Sequence, residues 1–167
     1  MSGANGAGSN GDGSPLAAGV IGVGSMGAHH ARVYSELHTA KLVGVTDIDE
    51  EQAAEVAAEH GTVAMERSEL LDAVDVVSVA VPTAYHYETV LDCIDRGVHA
   101  LVEKPFVAER EKGRELAERA DAAGVTLQVG YIERFNPATR VLADIVPDLD
   151  VVATDIDRLG PPADRQG

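Results

Sequence analysis

Residues 19–37, GVIGVGSMGAHHARVYSEL, put Gly22, Gly24 and Gly27 in the spacing G-x-G-x-x-G directly behind a short apolar run. The spacing alone is a weak signal in a chain with 17 glycines. Its surroundings give it weight. Residues 17–22 read as a strand, 25–38 as a helix, and Asp47 closes the next apolar run, twenty residues beyond Gly27. In such a strand-loop-helix Gly22 permits the tight turn, Gly24 leaves no side chain between backbone and pyrophosphate, and Gly27 lets helix and strand approach. Backbone N–H groups at the helix start, from Ser25 and Met26 onward, then meet the phosphates with the helix dipole behind them. Asp47 is placed to accept hydrogen bonds from ribose hydroxyls and to repel a 2′-phosphate, and its neighbours Ile48 and Asp49 bring no cation. The cofactor expected is therefore NAD rather than NADP. Arg67 is the basic residue whose arrival would weaken that expectation.

The rest of the chain alternates short apolar runs with longer amphipathic segments, the rhythm of βαβ units on a parallel sheet. In the first helix, Met26, His30, Val33, Tyr34 and Leu37 are expected to form the inner face. KLVGVTD (41–47) is the second strand, and Asp49 caps a helix with inner face Ala53, Val56 and Ala57, ended by Gly61. A weak strand at 62–64 and a short helix at 67–73 follow. Residues 74–82, VDVVSVAVP, are almost continuously apolar, as a strand covered on both faces should be. Then come a helix (84–96, ended by Gly97), a strand (98–105), a charged helix (108–123, ended by Gly124), a strand (125–132) and a helix (136–146). The expected fold class is α/β, a doubly wound parallel sheet of about six strands. Residues 1–15, MSGANGAGSNGDGSP, read as a disordered tail, because they cannot bury enough apolar surface to offset the entropy of ordering them.

Composition narrows the partners. With 28 acidic residues against 13 Lys and Arg, the net charge of −15 argues against nucleic acid and anionic membranes as partners. So acidic a surface looks like that of proteins from salt-loving archaea, where concentrated salt screens self-repulsion; the other reading is a surface that recruits a basic partner. One cysteine, Cys93, allows no internal disulfide and is expected to be a buried thiol in a reducing, cytoplasmic setting. His29, His38, His60 and His99 show no metal-ligand spacing, so no metal is expected.

Three further stretches carry a family resemblance: VAVPTAYHYETVLDCIDRGVHALVEKPF (79–106), Glu103-Lys104-Pro105 within it, and VGYIERFNP (129–137). With the glycine loop they resemble the N-terminal half of the Gfo/Idh/MocA oxidoreductases, dehydrogenases of sugars and cyclitols that use a tightly held nicotinamide cofactor. The stretch around VGYIERFNPA is most similar to members that oxidise the 3-hydroxyl of UDP-N-acetylglucosamine. The resemblance implies that Lys104 lies beside the nicotinamide and the reacting hydroxyl, with Glu103 as its supporting partner. It places Pro82, Thr83 and His86 in the loop after the fourth strand, near the cofactor, although His86 is as readily read as a cap or packing residue. His30 matches a histidine usual in the family's first helix, and packing is its expected role. Arg134 is a candidate for a substrate carboxylate or phosphate, or for a structural ion pair.

Family members continue into a second, α+β domain with the substrate pocket, the oligomer interface and a D-x-x-x-H-type segment. The expected division is thus a tail at 1–15, the dinucleotide-binding domain at 16–148, and at 149–167 the start of the substrate domain, with a seventh strand at 150–160. On this reading catalysis needs the remaining half, supplied by another chain, and the partners expected are that C-terminal half or further copies of this chain in a homo-oligomer. A non-catalytic NAD-binding remnant or redox sensor fits the same residues. A methyltransferase using the glycine loop for S-adenosylmethionine is disfavoured by the E-K-P and R-F-N-P matches.

Overall fold

The computed structural model describes residues 13–146, 150 and 153. Six strands form one sheet: β1 Leu16–Ile21, β2 Ala40–Thr46, β3 Val63–Ala64, β4 Val76–Val79, β5 His99–Val102 and β6 Leu127–Val129. All neighbours pair in parallel, in the order β3-β2-β1-β4-β5-β6. Every crossover then needs a connection that returns the chain to the same end, and helices provide it. These are α1 Ser25–Glu36, α2 Glu50–Glu59, α3 Arg67–Ala73, α4 His86–Asp95 and α5 Arg110–Ala123. The strand order reverses between β1 and β4, so the β1–α1 and β4–α4 loops open outward from adjacent strand ends and leave a crevice there.

Alternation along the strands splits the core into two layers. Val20 and Val45 face Val23, Ala31, Ala53, Val56 and Ala57 under α1 and α2. Ile21, Val77 and Val79 face the other way, with Leu70, Val90, Cys93, Ile94 and Leu116 from α3, α4 and α5. Where β1 and β2 pair, Gly19 lies opposite Gly44, and the two missing side chains leave a notch that Leu70 fills together with Met65, whose Cε would lie 2.7 Å from a Cβ on Gly44. A Cβ built on Gly19 would come within 2.8 Å of Leu70 Cδ1, and one on Gly44 within 3.2 Å of the same atom. The helix stops are as expected from glycine: Gly61, Gly97 and Gly124 have φ of +66°, +71° and +68°. Asp49 caps α2 by accepting from the Gln52 N–H at 3.1 Å.

Two expectations need correction. The inner face of α1 is not the large apolar set, since Met26, Val33 and Leu37 are all exposed. The buried residues are Gly27 and Ala31, with His30 and Tyr34 partly covered beside them, a stripe at i, i+3, i+4 and i+7. Close approach at Gly27 sets the phase of the helix: a Cβ there would lie 1.8 Å from the Gly22 carbonyl oxygen. The strands of the second half are also shorter than the apolar runs that announce them. Pairing in β4 ends at Val79, and Ala80, Val81 and Pro82 leave the sheet to form a wall of the crevice.

The chain divides into two compact units, Met1–Tyr131 and Ile132–Gly167. In the second, a 3-10 turn Ile132–Phe135 leads to α6, Pro137–Ile145, whose N-cap Asn136 accepts from the Ala138 N–H at 3.0 Å. Val141, Leu142 and Ile145 of α6 are exposed. The first twelve residues of the expected tail, the boundary expected at 148/149, and all of the expected seventh strand except residues 150 and 153 lie outside the described residues.

Candidate functional site

The crevice at the strand-order reversal is an open cleft of about 830 Å³. Gly22, Gly24, Ser25 and Met26 line one side, Asp47, Ile48 and Gln52 another, and Val81, Pro82 and Tyr85 a third. The three glycines have three separate local reasons. Gly22 has φ +86°, and a Cβ there would sit 2.8 Å from the Val81 nitrogen. Gly27 is pressed on the Gly22 carbonyl. Gly24 alone of the three meets nothing: a Cβ built on it has no atom within 4 Å. It is also the N-cap of α1, with no side-chain cap and no acidic residue in the first turn. The helix thus presents its first N–H groups and the positive end of its dipole to the cleft, unmasked by a carboxylate of its own. Open space at Gly24, a donor array and a positive dipole end together fit a pyrophosphate.

Asp47 is anchored by two backbone donors. Its Oδ2 accepts from the Val23 N–H at 2.6 Å, and its Oδ1 from the Asp49 N–H at 3.0 Å. The first bond ties the end of β2 to the glycine loop, so the acid's position is fixed by the loop it serves. Each oxygen keeps lone-pair capacity for a ribose hydroxyl. Val23 was not legible as part of this arrangement, because a backbone donor has no sequence signature. Ile48 is wholly exposed, and Tyr85 is 60% exposed. Both are apolar surfaces of the cleft that sequence pattern left unremarked, although a large apolar residue directly after a strand-end acid is a usable signal. Arg67 is the one cation among the described residues lining the cleft. Its guanidinium is paired with Asp92 at 3.5 Å and with the cleft residue Thr89, at Oγ1, at 3.3 Å.

Not every expected site residue reaches the cleft. His86 is buried, with Nδ1 at 2.9 Å from the Phe106 carbonyl and Nε2 at 2.8 Å from the Val81 carbonyl. It straps the loop after β4 to the segment after β5, the packing role its position also allows, and it does not line the cleft. Thr83 begins the 3-10 turn before α4, beside the cleft residue Pro82. Glu103 and Lys104 follow β5 at its carboxyl end, Lys104 exposed and Glu103 largely covered. The Lys104–Pro105 bond is cis. Neither Glu103 nor Lys104 lines the cleft itself. Arg134 is exposed on the 3-10 turn of the second unit.

Polar groups buried away from the cleft are paired. The Cys93 thiol donates to the Thr89 carbonyl at 3.1 Å, and burial pushes its pKa up to about 12, which makes it inert as a nucleophile at neutral pH. Burial likewise pushes the Tyr34 phenol up, opposed in part by its hydrogen bond with Ser78. Among the described residues, no cluster of three or more His, Cys, Asp or Glu has the arrangement to hold a metal ion, and no helix is long and apolar enough to cross a membrane.

Comparison with known proteins gives a consistent pattern. The family model described as an oxidoreductase family with an NAD-binding Rossmann fold matches residues 16–131. The UDP-N-acetylglucosamine 3-dehydrogenase of Acidithiobacillus ferrooxidans is 40% identical over 125 residues, which are 74% of this chain and 39% of that protein. Inositol 2-dehydrogenase 4 of Saccharopolyspora erythraea is 37% identical over 128 residues, 73% of this chain and 38% of the relative. The solved structure of the Acidithiobacillus enzyme superposes with a TM-score of 0.74 at 38% identity, covering 77% of this chain and 42% of that one. Scyllo-inositol dehydrogenase from Lactobacillus casei, solved with NAD(H) and scyllo-inositol, shares the fold with a TM-score of 0.73 at 21% identity, over 80% of this chain and 41% of its own. The chain thus spans about 40% of the length of the relatives it matches. A six-stranded parallel sheet in the order 3-2-1-4-5-6, a glycine loop opening its first helix, and a family match over the first unit agree: the chain belongs to the Gfo/Idh/MocA oxidoreductase family and contains its NAD-binding Rossmann domain.

Proposed function

We propose that this chain is the coenzyme-holding part of a dehydrogenase that removes hydride from the carbon bearing a secondary hydroxyl of a sugar or nucleotide sugar, and that it prefers NAD to NADP. The observation that carries the cofactor reading is the open space in front of Gly24, at an uncapped helix start tied to Asp47 through Val23. When bound, the nicotinamide supplies the hydride acceptor. The chain's own residues bind and orient: the α1 N–H groups meet the phosphates, Asp47 the adenosine ribose, and Ile48 and Tyr85 offer apolar surface to the bases. Preference for NAD follows from charge. Asp47 stands where a 2′-phosphate would lie, and the cation in the lining, Arg67, is engaged by Asp92. Exposed at the carboxyl end of β5, Lys104 is assigned to the reacting hydroxyl, whose oxygen its ammonium steadies by donating a hydrogen bond while the hydroxyl proton passes to solvent. The relatives named for UDP-N-acetylglucosamine and inositol support a polyhydroxylated substrate.

Fluorescence titration of the chain with NADH and NADPH tests this. Saturable NADH binding at least about tenfold tighter than NADPH is expected, with the gap narrowed in Asp47→Ala by loss of a charged acceptor. Equal or tighter NADPH binding refutes the specificity. Preferential binding of S-adenosylmethionine refutes the cofactor class.

A further inference from the structure

The motifs that mark this chain as a family member are far apart in sequence, yet three of them meet at one carboxylate. Glu103 Oε1 lies 3.0 Å from His30 Nε2, on α1 behind the glycine loop. Glu103 Oε2 accepts the backbone N–H of Lys104 at 3.2 Å. The carboxyl group also rests against Gly130 after β6, where an added Cβ would lie 3.4 Å from Oε1. Behind His30 the contacts continue inward. Its Nδ1 is 3.2 Å from Ser78 Oγ on β4, and Ser78 Oγ is 2.9 Å from the Tyr34 hydroxyl. Ser78 is fully buried, and the side chains of His30 and Glu103 are only 19% and 13% exposed.

Donors and acceptors in this chain of contacts have one consistent assignment for a neutral ring. An ionised carboxylate only accepts, so the ring nitrogen facing it must carry the proton. His30 Nδ1 is then an acceptor, Ser78 donates to it, and Tyr34 donates to Ser78. The carboxylate therefore selects the Nε2–H tautomer of the neutral ring, and Ser78 and Tyr34 complete the row of donors behind it. Such a neighbour orients a functional group without touching ligand, as the carboxylates behind metal-bound histidines fix the ring and its tautomer.

We propose that His30 is a positioning residue: as the Nε2–H tautomer, with Ser78 and Tyr34 hydrogen-bonded behind its Nδ1, it holds the Glu103 carboxylate turned so that the other oxygen accepts the Lys104 N–H, and so steadies the Glu103-Lys104-Pro105 corner. Its bearing on hydride transfer rests on the assignment of Lys104 to the reacting hydroxyl. The relay itself does not, and neither does its test. In the whole wild-type chain, nitrogen-15 NMR of the histidine rings is expected to report a single neutral Nε2–H tautomer for His30, with a water-protected ring proton that disappears in Glu103→Ala. A ring protonated on Nδ1 alone, or a proton signal unchanged in Glu103→Ala, overturns the proposal. Replacing the donor in His30→Leu should speed hydrogen exchange of the Lys104 amide by about fivefold, as the loss of one hydrogen bond predicts. His30→Gln, which keeps a donor at that reach, should restore it. Unchanged Lys104 exchange in His30→Leu, or acceleration spread evenly over α1 with no rescue by Gln, makes His30 a packing residue and overturns the positioning role. Should His30→Leu fail to fold, the wild-type ring assignment and Glu103→Ala still decide. NADH titration of the wild type reports separately on the cofactor reading, so the two fail independently.

Discussion

Adding one methyl group at Gly24 and, separately, at Gly27 distinguishes a glycine kept for ligand from a glycine kept for the fold. At Gly27 the new Cβ would sit 1.8 Å from the Gly22 carbonyl oxygen, and that contact must open to at least 3.0 Å before any real structure tolerates it. The obstacle is backbone of the loop itself, so the movement has to be a retreat of α1 from β1, which strips Ala31 from its layer against Val20 and Val45. Overpacking of this kind costs about 3 kcal/mol, the upper part of the usual range. For a chain of this length that is a fall in Tm of about 10 °C. At Gly24 the same methyl meets no atom within 4 Å. Exchanging glycine for alanine at an N-cap costs under about 1 kcal/mol, so Gly24→Ala should melt within about 3 °C of wild type. Its methyl, however, stands in the space assigned to the pyrophosphate, and NADH affinity should fall by at least about tenfold, or 1.4 kcal/mol. Circular dichroism melts and NADH fluorescence titrations read the two effects. A Gly24→Ala chain that binds NADH as the wild type does removes the basis for a pyrophosphate cradle. A Gly27→Ala chain of wild-type Tm removes close helix–strand contact as the reason for that glycine.

Other consequences are as direct. Leu70→Ala should cost about 2–5 kcal/mol, the range for a leucine deleted from a core. In that background Gly19→Ala should be much less harmful than in wild type, because its Cβ enters vacated space; equal costs in both backgrounds, by urea unfolding, refute the notch. For Cys93 the folded pKa lies above the unfolded value, so its contribution is complete below about pH 9 and is lost as pH rises toward 12, with a slope approaching 1.4 kcal/mol per pH unit. Cys93→Ala should lack that slope, and thiol reagents at pH 8 should label wild type only on unfolding. Raising KCl from about 0.1 M to about 1 M shortens the screening length from about 10 Å to about 3 Å, which should raise Tm in a chain of net charge −15. A Tm that falls or stays level refutes charge repulsion as a term in its stability.

Legibility from sequence depended on whether a feature is local. The glycine loop, Asp49 at its N-cap, and the helix stops at Gly61, Gly97 and Gly124 are decided within a few residues, and the structure has them where the pattern places them. Helix α1 misled because hydrophobic size favours Met26, Val33 and Leu37, whereas contact distance at Gly27 determines which stripe faces the sheet. The His30–Glu103 pair spans 73 residues and exists because α1 and the end of β5 meet only after the sheet is ordered. No spacing rule reaches that far. His86 was ambiguous for a related reason: its acceptors are main-chain carbonyls of Val81 and Phe106, which every residue type offers alike.

The notch between Gly19 and Gly44 has an effect beyond the core. Leu70 seats in it and lies one helical turn after Arg67, the first residue of α3, so the depth of the notch works as a depth stop for that short helix. A methyl added at Gly19 would press on Leu70 and so on the helix that carries Arg67. The floor of the sheet thus bears on where a cleft-lining cation stands, through a leucine that is itself no part of the cleft wall.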